Sequence, residues 1–587
     1  MCGIYGSVGL RTEAQATADL QSFAYRGPDH SGMYCDGEVC LGNNRLAIID
    51  LDERANQPLH SSDGRYVIVF NGEIYNFRAL RASLEAAGST FTTNSDTEVV
   101  LETFIRKGVG AFGAFRGMFA VAIYDTQLRT LTLARDHVGM KPLYYYHDGD
   151  QRFGFSSELK GLAHVLSRSQ LSADAFTIAS ALGYVPSPLT PYENVFKLER
   201  GSVLTFELAS GRYRIQDDLF DLSPSEVASP AALQTVFDDA VLRHLVSDAP
   251  VGLFFSGGND SSLIAASLKR QGISLNAYSI IMEHKTDDAA FIDSIGAALD
   301  VSPHKLHFDS AQFETALMAV HQQIDEPTID SSMLAIYALA KIAQTDVKVV
   351  LSGEGADEFF FGYSRHLRLA RQQARAAVGA VRGINRLPFS NLTKKRLLRL
   401  VANVRSAGYL SYLLDTAKGD SLLGWEAALT LFADAGVSPH NLDELVYLEN
   451  DLLRKMDFAT AYASIEGRMP FLDVEVIRAA RNFTKDFTDT QCTKHVLKEI
   501  LAEQVGHQAA YRSKSGLGLA QRTFFSDSDY FMEHLRIALR ELRSIEQFAG
   551  LVTPLSADEL VAHYPYHAYL NFTYWCTIQN LERYHGT

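Results

Sequence analysis

A chain of 587 residues has room for two large domains or several small ones, and 47% hydrophobic with 21% charged residues is globular composition, which excludes a disordered or fibrous protein. Lys and Arg total 54 against 69 Asp and Glu, a formal charge of -15 that argues against nucleic-acid binding by broad phosphate neutralisation. The five cysteines (Cys2, Cys35, Cys40, Cys492, Cys576) show no zinc-type spacing and predict a reducing compartment. No apolar run approaches the roughly 18 residues of a membrane span, and the first residues lack the basic start and apolar stretch of a secretory signal, so the chain reads as cytoplasmic with no membrane partner.

In chain order, residues 1–208 carry β-type runs at 66–70, 118–124, 131–134 and 143–146, punctuated by turn signals such as Asp63-Gly64 and Asp148-Gly149. Helical patterns at 14–23 and 96–107 interrupt them, which predicts an α+β sandwich of antiparallel sheets. The Pro-rich stretch 184–191 should be extended, and the polar stretch 209–228 reads as a linker to a second unit, 229–587. There, strands at 251–255, 276–281, 304–308 and 347–351 alternate with helical patterns at 262–270, 289–299, 312–322 and 333–344. That alternation predicts a parallel sheet with crossover helices, and beyond Tyr363 the pattern is almost all helical.

Cys2 is followed by Gly3 and Ile4, and removal of Met1 would leave it a free α-amine. Such an amine has a reference pKa of roughly 7.7–8.0, so thiol and general base could sit on one residue. Within a hundred residues or so come Arg26-Gly-Pro-Asp29, Arg45-Leu-Ala-Ile-Ile-Asp50, Asn71-Gly-Glu-Ile-Tyr-Asn76 and Ser95-Asp-Thr-Glu98. Phe115-Arg-Gly-Met-Phe119, Ala134-Arg-Asp136 and Phe155-Ser-Ser-Glu-Leu-Lys160 follow. This half resembles the N-terminal-nucleophile (class II) glutamine amidotransferase domain. The resemblance implies that Cys2 attacks the glutamine amide, with Asn71 and the Gly72 N–H as the oxyanion hole. It also implies that Arg45 holds the glutamine α-carboxylate, and that Glu73 and Asp96 hold its ammonium or amide.

Ser256-Gly-Gly-Asn-Asp-Ser-Ser262 follows a predicted strand and opens a helix, a setting in which backbone N–H groups can cradle phosphate. It lacks the Lys of a Walker loop. Asp325-Glu-Pro327, Asp330-Ser-Ser332, Ser352-Gly-Glu-Gly-Ala-Asp-Glu358, Glu466-Gly-Arg-Met-Pro-Phe-Leu-Asp473, Thr493-Lys-His-Val-Leu-Lys498 and Arg512-Ser-Lys-Ser-Gly516 follow in order. This half resembles the ATP-pyrophosphatase domain of the asparagine synthetase family. The resemblance implies that Ser256, Gly257, Gly258, Asp260, Ser261 and Ser262 hold the ATP phosphates. Phe254, Ile280, Ser352 and Gly353 would line the adenosine site, and Asp260 and Asp357 would ligate Mg²⁺. Glu354 would act as base toward ammonia, and Lys514 would stabilise the acyl-phosphate.

Taken together, the resemblance implies an N-terminal-nucleophile α+β sandwich followed by an α/β parallel-sheet domain with a helical C-terminal part. It implies glutamine, ATP and aspartate as substrates, amidation through an acyl-adenylate, an internal ammonia channel and a possible homodimer. The pattern departs from the family at Tyr25, where His is usual, at Asn259, at Asp287-Asp288 and at Phe359-Phe-Phe-Gly-Tyr363. The last three surround the acceptor, so a uronic acid or a peptide carboxyl stays open beside aspartate. Gly108-Val-Gly-Ala-Phe-Gly113 matches a dinucleotide fingerprint but follows a helical pattern, without the required strand. His304 and His307 lack a third ligand nearby, and the basic stretch 365–405 reads as solvated helical faces.

Overall fold

A computed structural model of the chain describes residues 1–149, 151–166, 169–217, 219–283, 286–363, 365–366, 424–434, 441–483, 492–512, 521–548 and 550–585. The first half is built on β1 (Gly3–Val8), β2 (His30–Cys35), β3 (Val39–Arg45), β4 (Leu59–His60), β5 (Tyr66–Ile74), β6 (Gly117–Asp125), β7 (Thr130–Arg135), β8 (Tyr144–His147), β9 (Phe153–Ser156), β10 (Val195–Lys197), β11 (Val203–Glu207) and β12 (Arg212–Gln216). They form two antiparallel sheets, ordered β10-β8-β9-β1-β3-β2 and β12-β11-β7-β6-β5-β4.

The side-chain period of two explains how the layers pack. Along β5, Val67 and Val69 face the other sheet, meeting Ile4, Val8 and Leu41. Ile68 and Phe70 turn outward, onto Val99 and Val100 of the helix Asp96–Lys107. On the far side, Leu20 and Ala16 of the helix Glu13–Gln21 cover Tyr5. The result is helix, sheet, sheet, helix, the sandwich that the sequence predicts.

Two features were not legible in the sequence. The first strand past residue 208, β12, pairs with β11 inside the stretch 209–228 expected to be a linker. Cys35 and Cys40 face each other across the β2–β3 turn and form a disulfide. The reducing compartment expected from the sparse cysteine set is not supported by that pair.

The second half carries a parallel sheet ordered β15-β14-β13-β16-β17, made of β13 (Val251–Phe254), β14 (Asn276–Met282), β15 (His304–Phe308), β16 (Val349–Leu351) and β17 (Glu466–Arg468). Helices Asn259–Arg270, Thr286–Leu299, Ser310–His321 and Ser332–Ala343 make the crossovers. The order reverses direction between β13 and β16, and loops leaving the carboxyl ends of two such strands form a crevice. The loops that begin Ser256-Gly257-Gly258 and Ser352-Gly353-Glu354 start there. The stretch beyond Tyr363, almost all helical in pattern, also supplies β17, three buried residues of which two are charged. One apolar core joins the halves, with Tyr75, Met118, Met140 and Phe176 packed among second-half residues. Among the described residues no helix is long and apolar enough to cross a membrane.

Candidate active sites

Cys2 stands at the entry to β1, and the register that sets Gly3 beside Asn44 brings it level with Arg45. Asn43, opposite Ile4, donates to the Phe70 carbonyl at 3.2 Å and ties the two sheets one residue before Asn71. The Cys2 thiol donates to the Leu46 carbonyl at 3.8 Å. Burial pushes this thiol up, while the adjacent amino terminus and Arg45 pull it back. Asn71 is fully buried, and neither atom of its side-chain amide has a partner among the described residues. A buried amide left unpaired costs about 1–3 kcal/mol, so it is poised for a ligand to satisfy. Gly72 lies so close to β6 that a Cβ would meet the Met118 carbonyl oxygen at 2.2 Å.

The Arg45 guanidinium is wrapped by the loop that follows β3. It donates to Asn56 Oδ1 at 2.8 Å and to the carbonyls of Ile49, Asp50 and Asp52. Asp96 accepts the Ile74 N–H at 2.9 Å, and burial raises its pKa to about 6. Glu73 is likewise pushed up by burial, with Asp96 and Glu466 adding to the effect against the pull of Arg468. Its carboxylate lies 3.0 Å from the guanidinium of Arg468, which belongs to the second half.

A seam of buried charges runs from Cys2 into the second half. Arg26 Nε donates to the Cys2 carbonyl at 3.0 Å, and its two Nη groups reach Glu158 at 3.0 Å and Asp457 at 2.8 Å. Tyr25, where the family pattern has His, donates its hydroxyl to Glu158. It accepts from Lys160 at 2.8 Å, and Lys160 also donates to the Gln323 carbonyl at 2.7 Å. Next to it, burial raises Asp325 to about 6 against the pull of Lys160. The amino terminus is enclosed beside Glu466, Lys141 and Arg26, and burial lowers its amine to about 5.

On the far side of the parallel sheet, β13 leads into Ser256-Gly257-Gly258 and the helix Asn259–Arg270. No side chain caps that helix start. Its first N–H groups therefore face the loop, as an anion site requires. Ser261 accepts the Ser256 N–H at 3.2 Å, and the buried Ser262 hydroxyl has no partner among the described residues. Asn259 ties the loop to the Ala510 carbonyl at 3.1 Å, which gives that departure from the family pattern a structural job. β16 leads into Ser352-Gly353-Glu354, where Ser352 donates to the Glu354 carboxylate. The two loops touch: a Cβ on Gly353 would lie 2.7 Å from Cβ of Asp260. Phe254 and Ile280 lie on the neighbouring strands β13 and β14.

The carboxylates of Asp260 and Asp357 converge on one cation, the ammonium of Lys494, at 2.6 Å each. Lys494 holds a left-handed φ of 53° just ahead of the helix His495–Val505. Gly362 allows the approach, because a Cβ there would lie 1.7 Å from Asp357 Oδ1. Behind them Tyr363 donates to Glu358, which burial and Asp357 push up to about 7. Among the described residues no group of three or more His, Cys, Asp or Glu side chains could hold a metal ion. The two hard carboxylates that meet at Lys494 are the pair that fits a divalent cation bound together with a phosphate chain.

Lys514, the side chain of Asp287 and nearly all of the basic stretch 365–405 lie outside the described residues. Reasoning from the sequence assigned no role to Arg26, Asp457, Arg468 or Lys494. Three of them stand in motifs that were visible, Arg26-Gly-Pro-Asp29, Glu466-Gly-Arg468 and Thr493-Lys-His495, but the partners that give them work are distant in the chain. Asp457 stood in no recognised motif.

Residues 1–215 match the glutamine amidotransferase domain family, and residues 232–585 match the asparagine synthase family. An asparagine synthetase (glutamine-hydrolysing) of Bacillus subtilis is 32% identical over 562 residues, covering 88% of this chain and 86% of its own. A putative asparagine synthetase (glutamine-hydrolysing) of Mycobacterium tuberculosis is 32% identical over 571 residues, covering 88% and 87%. Asparagine synthetase B of Escherichia coli is 30% identical over 387 residues, covering 62% and 65%.

Proposed function

Because this chain belongs to the glutamine-hydrolysing asparagine synthetase family, we propose that its acceptor is aspartate, which it converts to asparagine. It is an ATP-dependent, glutamine-hydrolysing amidotransferase and a carbon–nitrogen ligase. Aspartate is the reading supported by the relatives, each of them named as an asparagine synthetase or a putative one.

In the first site, the Cys2 sulfur attacks the glutamine side-chain carbonyl. Asn71 and the Gly72 N–H take the developing negative charge, ammonia leaves, and water releases glutamate from the thioester. With Met1 removed, the α-amine of Cys2 would be the general base, on the same residue as the thiol. Arg45 and Asp96 bind the α-carboxylate and the ammonium of glutamine. The buried, unpartnered Asn71 amide beside the nucleophile's sheet is the observation that carries this half.

In the second site, the loop 256–262 holds the ATP phosphates, and an oxygen of the acceptor carboxylate attacks the α-phosphorus, so that pyrophosphate leaves. Ammonia then adds to the acyl carbon, Glu354 accepts a proton, and AMP leaves. Asp260 and Asp357 would hold Mg²⁺, which would neutralise phosphate charge, and Lys494 shares that position. Lys514 is assigned to the acyl-phosphate. The second half supplies the surroundings of Phe254, Ile280, Ser352 and Gly353 for adenosine. Ammonia passes between the sites inside the protein, and the whole cycle suits the cytoplasm, where ATP and glutamine are plentiful. A homodimer is the assembly expected from the family.

The deciding experiment measures glutamine-dependent AMP formation across candidate carboxylates. Aspartate should give AMP and asparagine in equal amounts. AMP formed only with a uronic acid or a peptide carboxyl would replace aspartate as acceptor, and the aromatic run 359–363 is where that change in specificity would reside.

A further inference from the structure

The loop of 46–52, which wraps the Arg45 guanidinium and accepts the Cys2 thiol at Leu46, is held from the other half of the chain. Asp248 grips it twice. Its carboxylate accepts the Asp50 N–H at 2.8 Å, and its own N–H donates to the Ile48 carbonyl at 2.9 Å. Lys348 grips it from the side, donating to Asp29 at 2.6 Å and to the Ala47 carbonyl at 3.4 Å. The same Asp29 oxygen accepts the Ala47 N–H at 2.8 Å. Between these grips Asp50 sits at a left-handed φ of 52°, a conformation that a residue with a β-carbon keeps only where its surroundings hold it.

The places of the two gripping residues in the fold are what give them reach. Asp248 stands three residues before β13, and Lys348 immediately before β16. These strands are parallel neighbours, with Val251 beside Val349, so their amino ends lie together at the glutamine loop. Their carboxyl ends open into Ser256-Gly257-Gly258 and Ser352-Gly353-Glu354. The three residues of β16 separate Lys348 from Ser352, four steps or about 13 Å of strand. Neither grip is buried in the core: the Lys348 and Asp29 side chains are 37% and 33% exposed.

We propose that Asp248 and Lys348 are positioning residues for glutamine hydrolysis. They hold the 46–52 loop in the shape that sets Arg45 and Leu46, and through β13 and β16 they link that shape to occupancy of the ATP loops. The proposal rests on the reading of Cys2 and Arg45 as glutamine-site residues. Such a link is reciprocal: if ATP at the strand ends favours glutamine binding by some factor, glutamine favours ATP binding by the same factor.

The test uses the full chain with Asp248→Ala, Lys348→Met and the double variant. Glutamate formation is measured against glutamine concentration, with and without ATP and acceptor, and pyrophosphate release is measured with ammonium chloride. Each single variant should raise the KM for glutamine about fivefold, the factor given by one net hydrogen bond, and the double variant more. The kcat for glutamate and the ammonium-dependent rate should stay within about twofold. ATP should lower the KM for glutamine in the parent chain and no longer do so in the double variant. Asp248→Asn keeps an acceptor oxygen for the Asp50 N–H and should restore the parent KM. An unchanged KM for glutamine in an active chain overturns the proposal alone, as does an equal fall in the ammonium-dependent rate. A parent chain that forms no glutamate overturns the underlying reading and the proposal together.

Discussion

Asp96 holds its proton to about pH 6 because burial disfavours its charge more than the Ile74 N–H favours it. Binding an ammonium needs the carboxylate form, so glutamine capture should report this titration. Below about pH 6, kcat/KM for glutamate formation is expected to fall tenfold per unit. The inflection should vanish in Asp96→Asn, as pH profiles at saturating and limiting glutamine would reveal. The stability effect has a definite sign. The folded pKa lies above the unfolded one, so this group favours the fold fully below about pH 3.8, and that contribution is lost as the pH rises through about 6. Two further residues separate the sites. Cys2→Ala should abolish glutamine use and leave ammonium-dependent synthesis within about twofold, as paired assays would show. Lys494→Met leaves Asp260 and Asp357 facing each other without their cation, and ammonium-dependent pyrophosphate release should drop at least about a hundredfold. Glutamate formation without ATP should persist in that variant.

β17 is the element least readable from sequence and among the most consequential. Glu466-Gly467-Arg468 has no apolar alternation to mark it as a strand, and it is fully buried only because its charges are answered inside the protein. Arg468 donates to Glu466 at 2.9 Å and to the carbonyls of His244 and Val246, and it lies 3.0 Å from Glu73. Its own carbonyl accepts the Ser352 N–H at 2.9 Å, which places one residue between the oxyanion strand and the ATP crevice. Arg468→Leu should cost about 3–5 kcal/mol, because it leaves Glu73 buried without its counter-charge and leaves Glu466 only Lys141. Denaturant unfolding would measure that loss. Arg468→Lys should recover little of it, since an ammonium cannot span four partners held by a planar fork. The strands β5, β6, β13 and β14 were legible for the opposite reason: their runs of Val, Ile, Phe and Ala satisfy packing on faces set by a period of two.

At the scale of the molecule, a seam of ion pairs whose side chains are almost wholly buried lines the contact between the halves, from Arg26 with Glu158 and Asp457 to Arg454 with Glu326. Salt screens exposed charges and barely reaches enclosed ones. The ratio of amide formed to glutamate formed should therefore stay constant as ionic strength rises to about 0.5 M, and titration with potassium chloride would check it. The net charge of -15 gives anionic substrates no help at long range, so their capture falls to local donors such as Arg45 and the first turn of the helix Asn259–Arg270.

The sequence alone determined the order of the motifs along the chain: a thiol at position two, Asn71-Gly72, a glycine-rich loop at 256–262 and an acidic glycine loop at 352–358. It could do so because each is a short motif on one strand end or turn, where local spacing carries the information. Only the tertiary structure decided which residues meet. Lys494 closes on Asp260 from 234 positions away, and Arg26 closes on Asp457 from 431. Asp248 and Lys348 reach back to a loop 198 and 301 positions before them. Such pairings leave no periodicity behind, because they are fixed by the burial of charge at one common interface and by the parallel strands that bring distant loops to the same edge.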